Sequence, residues 1–404
     1  MRTSTRALVL LALVATLVTF LSFLKFNHCA TNGWGQPDTN IHACYTDISA
    51  LFYERDLDKD KWPFSGAVER TVEYPVLQAV VMWGAATVVG SDVIDYYYLS
   101  IALIAALFIL SVFLVRTIAP RNVYLYAIAP TGVAALFINW DLWAIVPMLI
   151  AIYLFDKGKY LSSAATLGIS IATKFFPIAL LLPVVIFFAR KKQYKNALTY
   201  TTSSLGVYGL INLPFAIAHP EGWWRFFDLN IHRDPDWGSL WLAISNLGFT
   251  LPQFNLLTTL SLLIALLAIT FLLFSTQETL TLAESAIFPV AVLMSLGKVY
   301  SPQYVLWLAP LVVIAISSKE SQLRKVLPIF WMWQFTEIMY HVAIWIYLAG
   351  YGSEKALIPE HFYTISILLR LAGMVAILAA LLRQHRMSGQ FPREFLFESG
   401  GVYP

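Results

Sequence analysis

The sequence predicts an all-α polytopic membrane protein on three observations: its composition, the spacing of its apolar segments and the charges of its loops. Of its 404 residues, 58% are hydrophobic and 13% are charged, with a mean hydropathy of +0.67. A soluble domain of this length could not bury so much apolar surface, so membrane lipids must act as part of its solvent. The net charge of +3 gives no support for nucleic acid as a partner.

The first apolar run, 7–23, follows a basic N-terminus. Its length also suits a cleavable signal peptide, but no clear small-x-small cleavage site follows, which favours a retained helix with its N-terminus inside. The polar block 26–74, which begins the outer loop 26–95, is then extracytoplasmic. Both cysteines, Cys29 and Cys44, lie in it, where a disulfide is chemically permitted. The sequence alone leaves open whether they pair, because bridge geometry depends on the fold.

Twelve further hydrophobic segments follow the first run. They are 75–90, 96–115, 122–138, 142–155, 161–174, 177–189, 197–214, 255–274, 284–297, 303–317, 326–348 and 361–382. Several are shorter than the ~20 residues that a helix needs to span hydrocarbon. Short helices in a polytopic bundle usually end at a cavity or where the bilayer is thinned.

Loop charge predicts the topology. The basic loops are 116–121, 156–159, 190–195, 317–325 and the tail after Arg383. The positive-inside rule places them in the cytoplasm, which requires 75–90 to re-enter or lie at the interface instead of crossing. Twelve crossings and two inside termini result, in a single transmembrane domain, 1–386, followed by a cytoplasmic tail, 387–404. The outer face then holds 26–95 and a second large loop, 215–254.

The run DISALFYERDL, which begins at Asp47, predicts an interfacial helix with an acidic residue in its first turn. Its apolar side chains share one face at helical spacing, and a carboxylate at this end suits the helix dipole. The simplest interpretation is an N-cap, with Asp47 accepting hydrogen bonds from backbone N–H groups. A catalytic carboxylate is the alternative.

Motifs spread along the chain favour that alternative. They are the Asp47 run, Glu73-Tyr74-Pro75-Val76-Leu77, Asn139-Trp140-Asp141, Ala172-Thr173-Lys174-Phe175-Phe176-Pro177, Arg233 with Asp236-Trp237-Gly238-Ser239-Leu240, and Lys298-Val299-Tyr300-Ser301-Pro302-Gln303-Tyr304. In this order they resemble glycosyltransferase family 87 of the GT-C superfamily. These polyprenyl-phosphate-sugar-dependent enzymes are best known for α-mannosyltransferases.

The resemblance implies a GT-C type helix bundle with extracytoplasmic juxtamembrane helices and an active site at the outer face of the plasma membrane. A hexose, mannose by the family's pattern, would pass from a polyprenyl-phosphate-sugar to a membrane-bound glycolipid or glycan acceptor. The first outer loop of such enzymes supplies the acidic base, a role that falls on Asp47. No cofactor is implied. A polytopic lipid or solute transporter is the alternative class, but the sequence contains no evident internal repeat of the kind that many transporters have.

The chemistry explains the residue types. An acceptor hydroxyl that attacks the anomeric carbon needs a base for its proton, and the departing lipid phosphate needs cations. Inverting displacement therefore calls for one carboxylate opposite a cationic cluster. Glu54, Asp56 and Glu73 are the fallback bases. Substrate binding is assigned to Glu54, Glu73, Tyr74, Asp141, Tyr300 and Gln303, which lie in or beside the matching motifs.

Four basic residues are candidates for the donor phosphate. Lys298 and Lys174 end hydrophobic segments, where the alternative is snorkelling to lipid headgroups. Arg233, in the outer loop, offers a guanidinium that can bind phosphate in bidentate fashion. His341 is the fourth.

Ionisable residues within the last two apolar segments need a partner or a cavity. Gln334, Glu337 and His341 share one helix face, and Arg370 lies well inside the following segment. One interpretation is a structural Glu337–Arg370 pair, and the other is a contact between His341 and the donor phosphate or the acceptor. Asp141, at a turn between segments, is either an N-cap or a site residue. No metal site is predicted, because no cluster of His, Cys and carboxylates has ligand-like spacing.

Overall fold

A computed structural model describes residues 5–318, 323–351 and 356–385. All regular secondary-structure elements in these ranges are helices. The all-α class is thereby confirmed for these ranges. The predicted cytoplasmic tail, 387–404, lies outside the described residues.

The α-helices are numbered α1 to α18 in chain order. They are α1 Thr5–Thr31, α2 Asp38–Ile41, α3 Asp47–Glu54, α4 Val76–Val89, α5 Val93–Ile118, α6 Val123–Ala127, α7 Pro130–Ala135, α8 Leu142–Asp156, α9 Tyr160–Thr173, α10 Leu181–Arg190, α11 Tyr194–Ala218, α12 Pro220–His232, α13 Leu240–Asn246, α14 Phe254–Ser275, α15 Leu282–Ser295, α16 Val305–Ser318, α17 Leu323–Gly350 and α18 Glu360–Leu382. Short 3-10 turns complete the set at Leu57–Lys59, Val68–Arg70, Phe176–Leu180 and Pro302–Tyr304.

The predicted apolar segments correspond to α4–α11 and α14–α18 with shifts of a few residues at their ends. Two helices, α12 and α13, lie in the segment 215–254, which the sequence assigned only to a loop. Start signals are present, since Pro220 occupies the first turn of α12 and the Ser239 hydroxyl caps α13 by accepting from the N–H of Leu242 at 3.0 Å. Charged residues interrupt α12, so it lacks the apolar run that marks a membrane segment.

Four helices, α1, α5, α14 and α18, are long and apolar enough to cross a membrane. Several other apolar helices contain only 10–17 residues, and the predicted count of twelve crossings is not confirmed. Helix α4 has 14 residues, so it extends about 21 Å. That length is less than the ~30 Å hydrocarbon core.

The helices place the polar N-terminal loop over the bundle. Helix α1 packs on α5 and α7, α3 packs on α5, and α2 packs on α17. A disulfide joins Cys29, near the end of α1, to Cys44, with a Cα–Cα distance of 5.9 Å. The structure thus contains the bridge that the sequence permits, and it anchors the chain three residues before Asp47.

Helices α17 and α18 are joined inside the bundle by an ion pair. The Arg370 guanidinium, 0% exposed, donates through Nε to Glu337 Oε2 at 2.7 Å. It also donates to the backbone oxygens of Tyr300 and Ser301, at 2.6 and 3.0 Å, and lies 3.4 Å from the Tyr300 ring centroid. Of the two interpretations open at the sequence level, the structural Glu337–Arg370 pair is confirmed.

Candidate active site

Asp47 is the first residue of α3, and Thr46 is its N-cap. The Thr46 hydroxyl accepts from the N–H of Ile48 at 3.2 Å and donates to the backbone oxygen of Phe137 at 2.7 Å. The N–H of Asp47 donates to the backbone oxygen of Ile138 at 2.8 Å. The N-cap interpretation of Asp47 is therefore wrong. Thr46 caps the helix, and the Asp47 carboxylate forms its hydrogen bonds with other side chains.

Asn139 is the main partner of that carboxylate. Its Nδ2 donates to Asp47 Oδ2 at 2.5 Å and to the Tyr74 hydroxyl at 2.7 Å. Its Oδ1 accepts from Lys174 Nζ at 3.0 Å and from the N–H of Trp140 at 2.6 Å. One buried amide thus links the acid on α3 to the lysine after α9.

Lys174 points inward, so the snorkelling interpretation is wrong. The residue is 8% exposed, and its Nζ lies 3.2 Å from Asp141 Oδ1 and 4.1 Å from the Tyr74 ring centroid. Asp141 occupies the N-cap position of α8, yet its side chain makes no capping hydrogen bond. The N-cap interpretation of Asp141 is therefore confirmed for its position but not for side-chain capping, and its carboxylate serves as the counter-ion of Lys174.

Burial raises the pKa of Asp47 to about 6, and the hydrogen bond from Asn139 and the charge of Lys174 oppose that rise only in part. The side chain nevertheless keeps some exposed surface. Tyr45 hydrogen-bonds to Asp47, and the nearby carboxylate raises the pKa of that phenol, with burial adding to the effect. At neutral pH Asp47 is thus mostly ionised and more basic than an ordinary aspartate.

Arg233 and Lys298 form a second group, between α12 and α13 and after α15. Arg233 Nε lies 3.5 Å from Asp236 Oδ2. Lys298 Nζ donates to the backbone oxygen of Ile231 at 2.6 Å and to Asn255 Oδ1. Desolvation lowers the pKa of Lys298, and Arg233 adds to that while Asp234 opposes it. Both cations keep exposed surface.

Tyr304 connects the two groups. Asp141, Arg233 and Asp236 all lie close enough to its hydroxyl to interact electrostatically. Its neighbour Gln303 is 4% exposed, and its Oε1 makes no hydrogen bond within the described part of the chain. Tyr304 therefore lies near both the Asp141 carboxylate and the Arg233 guanidinium.

His341 lies beside a residue that the sequence did not suggest. Lys25 Nζ is 3.1 Å from His341 Nε2, to which Trp345 Nε1 also donates at 3.2 Å. Among the described residues no carboxylate forms an ion pair with Lys25, whose ammonium otherwise donates to the backbone oxygen of Ala134 at 2.7 Å. The Trp345 ring packs on Tyr45 at 5.2 Å between centroids, which links this group to the Asp47 loop.

Three residues assigned to substrate binding have other partners. Glu73 accepts two hydrogen bonds from the Arg55 guanidinium, one of them at 2.7 Å through Nη2. The Glu54 side chain is 58% exposed and lies 3.6 Å from Arg55. The Tyr300 hydroxyl donates to Glu337 at 3.2 Å inside the bundle, and the residue is 0% exposed. Tyr300 thus belongs to the interior ion-pair network, and its assignment to substrate binding stays a prediction.

Asp56, a fallback base, is neutralised locally. It accepts hydrogen bonds from Arg70, from Lys59 at 2.8 Å and from Lys61 at 2.9 Å. These bonds hold the pKa of Asp56 well below its usual range, which makes it a poor base.

A cavity of about 260 Å³ lies next to the Arg233 group. Asp236 lines this cavity and also pairs with Arg233. Its lining combines aromatic rings with hydrogen-bonding groups: Trp237, Tyr347, Tyr351 and Tyr363, with Asp236, Asn246 and Glu360. Gly238 adopts φ +73°, and a Cβ there would come within 2.3 Å of the backbone oxygen of Tyr300. Only glycine allows this close approach, which places Trp237 at the cavity wall.

Sequence reasoning missed several of these participants. Asn139 stands in a quoted motif but received no role, because its partners are 92 and 35 residues away. Lys25 ends an apolar run and therefore has the sequence pattern of a flanking charge. Tyr304 and Asp236 also lie in quoted motifs, and motif membership was the signal that could have found them.

Comparisons with known proteins name no family for this chain. No family model matches the sequence, and no curated protein matches it. Among solved structures, the chain is similar to the crystal structure of ArnT from Cupriavidus metallidurans bound to undecaprenyl phosphate, with a TM-score of 0.47 and 16% sequence identity. The match covers 94% of this chain and 77% of that chain. A likeness this distant carries no conclusion about activity, and membership of family 87 stays a prediction.

Proposed function

We propose that this chain is an integral membrane glycosyltransferase that transfers a hexose from a polyprenyl-phosphate-sugar to a membrane-bound glycolipid or glycan. Mannose is the hexose that the family resemblance implies. One observation carries the proposal: the partly accessible Asp47 carboxylate is released from helix capping, oriented by Asn139, and has a pKa raised to about 6. A general base works best when its pKa lies near the operating pH.

In the proposed reaction, Asp47 takes the proton of the acceptor hydroxyl as that oxygen bonds to the anomeric carbon. The bond from this carbon to the phosphate oxygen breaks, and its electron pair leaves with the lipid phosphate. Displacement from the opposite side inverts the anomeric centre. The products are the glycosylated acceptor, a protonated Asp47 and a polyprenyl-phosphate monoester.

Cations must receive the charge of the leaving phosphate. Arg233 and Lys298 are proposed for this contact because both are partly exposed, Arg233 lies near Tyr304 as Asp141 does, and Lys298 lies near Arg233. His341 is proposed to contribute together with Lys25, whose ammonium has no carboxylate partner among the described residues. An anionic ligand bound there would favour the protonated form of the Lys25 amine.

Lys174 is proposed as a positioning residue. It is already held between Asp141 and Asn139 at 3.2 and 3.0 Å. Through Asn139 it keeps the Asp47 carboxylate in one orientation, and its charge limits the rise of the Asp47 pKa. Loss of Lys174 should therefore act on the base and only indirectly on the phosphate.

The aromatic cavity is proposed to hold the acceptor sugar. Aromatic faces pack on the C–H surface of a sugar ring, while Asp236, Asn246 and Glu360 offer hydrogen bonds to its hydroxyls. The disulfide supports placing this face of the protein outside the cytoplasm, because such bridges persist in oxidising compartments.

Purified protein incubated with polyprenyl-phosphate-mannose and a membrane glycolipid extract tests the proposal. Native chain should glycosylate the acceptor, and Asp47→Asn should not. Asp95→Asn is the matched control, since Asp95 is an exposed acid in the first turn of α5. Equal turnover by native chain and Asp47→Asn would remove Asp47 from catalysis. If no polyprenyl-phosphate-sugar supports transfer, and the protein translocates lipid in vesicles, the chain is a transporter and not a glycosyltransferase.

A further inference from the structure

Three potential metal ligands meet at the start of the polar loop. His28 lies in the last turn of α1, Asp38 begins α2, and His42 follows α2 directly. His28 Nε2 is 3.1 Å from Asp38 Oδ2, and His42 Nδ1 is 2.9 Å from Asp38 Oδ1. The ligand atoms of all three residues lie within 4.8 Å of one another. One carboxylate thus contacts two imidazoles, whose ring centroids are 3.9 Å apart.

This donor set suits Zn²⁺, which binds imidazole nitrogen and carboxylate oxygen at about 2.0–2.2 Å with tetrahedral geometry. Ligand atoms around such an ion are separated by roughly 3.3 Å. The contacts at 3.1 and 2.9 Å run to different oxygens of Asp38, and the three ligand atoms lie within 4.8 Å of one another, so a shared ion requires side-chain shifts of up to about 1.5 Å. Because all three side chains keep exposed surface, an ion can reach them from solvent.

A fourth polar group is also in place. Asn32 Nδ2 lies 3.2 Å from His28 Nε2 and 3.4 Å from Asp38 Oδ2. Rotation of this amide by half a turn would present its oxygen to the same point, because the two ends of an amide have nearly the same shape. A water molecule could equally fill the fourth position, as in many open zinc sites.

We propose that His28, Asp38 and His42 bind one Zn²⁺ ion. The ion would tie the end of α1 to α2 across almost the same interval that the Cys29–Cys44 bridge closes. Since α2 packs on α17, the ion would also fix the loop against the helix that carries His341. The site is structural, and it holds the segment that leads into Asp47.

The sequence predicted no metal site, and this proposal departs from that prediction. Nine residues separate His28 from Asp38, which is longer than the roughly two to five residues between paired ligands in familiar zinc motifs. The turn between α1 and α2 brings the two together, and that turn could not be deduced from spacing. Without a metal, the same geometry is an aspartate that accepts hydrogen bonds from two imidazoles, so the two states must be separated by experiment.

The test uses the full chain, purified in detergent without a histidine tag and stripped with EDTA. Titration with ZnCl₂ in a calorimeter should give one ion per chain. His28→Asn and His42→Asn should each weaken binding by more than about 100-fold, since even loss of an outer-shell partner of a metal ligand costs 10–100-fold. The control is His232→Asn. His232 pairs with Asp228 at 3.0 Å with the same i,i+4 spacing as His42 and Asp38, but as a two-ligand pair.

A second measurement guards against variants that fail to fold. Zn²⁺ should raise the Tm of native chain and of His232→Asn, and should leave the Tm of His42→Asn unchanged. Stoichiometric Co²⁺ should give native chain the strong visible absorption of a tetrahedral site. A native chain that binds no Zn²⁺ in the calorimeter would overturn the proposal, as would His28→Asn and His42→Asn variants that bind Zn²⁺ like native chain. None of these readouts depends on glycosyl transfer.

Discussion

The cluster around Asp47 and the network around Arg370 combine the same chemical groups, and they differ in how completely those groups are paired. Arg370 and Glu337 are 0% and 3% exposed, and the guanidinium donates three hydrogen bonds to oxygen acceptors. Asp47 keeps exposed surface, and neither oxygen of Asp141 accepts a hydrogen bond within the described residues. Full burial with complete pairing indicates a structural role. In the Asp47 cluster, Asp47 is paired but partly exposed, while the buried Asp141 keeps unused hydrogen-bonding capacity, so the cluster retains capacity for a ligand.

The largest expected effect falls on catalysis at the incompletely paired cluster. Asp47→Asn should lower kcat by about 10²–10⁴-fold, the usual contribution of a general base. Because the pKa of Asp47 is raised in the folded state, its charge costs stability at neutral pH, so the variant should keep or raise the Tm. Thermal unfolding of native chain and variant checks this. A kcat loss accompanied by a large drop in Tm would mean that Asp47 is structural.

The interior network should respond in the opposite way. Arg370→Met leaves Glu337 as an unpaired buried charge, which should cost about 3–5 kcal/mol of stability. Turnover per folded molecule should change little, because the hydrogen bonds of Arg370 go to Glu337 and to the backbone oxygens of Tyr300 and Ser301, and none goes to the Asp47 cluster. Adding Glu337→Gln to Arg370→Met should restore part of the Tm. A double variant no more stable than Arg370→Met would show that pairing is not what the network supplies.

Asn139 joins the base to Lys174, so its loss should have an intermediate effect. Asn139→Ala should lower kcat by about 10–100-fold through loss of orientation. It should also raise the pKa of Asp47 further, because the hydrogen bond from Asn139 is what chiefly holds that pKa down. The pH profile should shift to higher pH. Asn196→Ala, at an exposed site on α11, is the control and should match native chain.

The smallest effect is expected at the aromatic cavity. Trp237→Ala should raise the KM for the acceptor about tenfold with kcat nearly unchanged, because one aromatic contact contributes on the order of 1 kcal/mol. Trp224→Ala removes a tryptophan that is 48% exposed on α12 and should leave KM unchanged. An effect of Trp237→Ala on the KM of the lipid donor alone would assign the cavity to the donor sugar.

Much of the helical framework could be predicted from sequence, because long apolar runs mark helices without any knowledge of tertiary contacts. The segment 361–382, for example, differs from α18 by one residue at its start. Helix α12 was missed because its charged residues interrupt the apolar pattern. The number of crossings could not be fixed either, since several apolar helices are shorter than a bilayer requires.

The sequence identified several residues of the site, but it could not show which side chains contact one another. Asp47, Lys174 and Asp141 were singled out, yet the amide that joins Asp47 to Lys174 comes from a turn remote from both in sequence. Tyr300 was assigned to substrate by its motif, and only the fold shows its hydroxyl turned toward Glu337. Such pairings depend on which helices are neighbours, and hydrophobic periodicity carries no information about that.

The pH dependence of kcat/KM for native chain reports the ionisation of the free enzyme and so shows directly whether Asp47 is the base. Asp47 must be ionised to accept the proton, so kcat/KM should be constant above pH 7 and fall tenfold per pH unit below about 6. The residual activity of Asp47→Asn should show no break in this range. A native profile that stays flat down to pH 5, or a break that persists in Asp47→Asn, would contradict the assignment of Asp47 as the base.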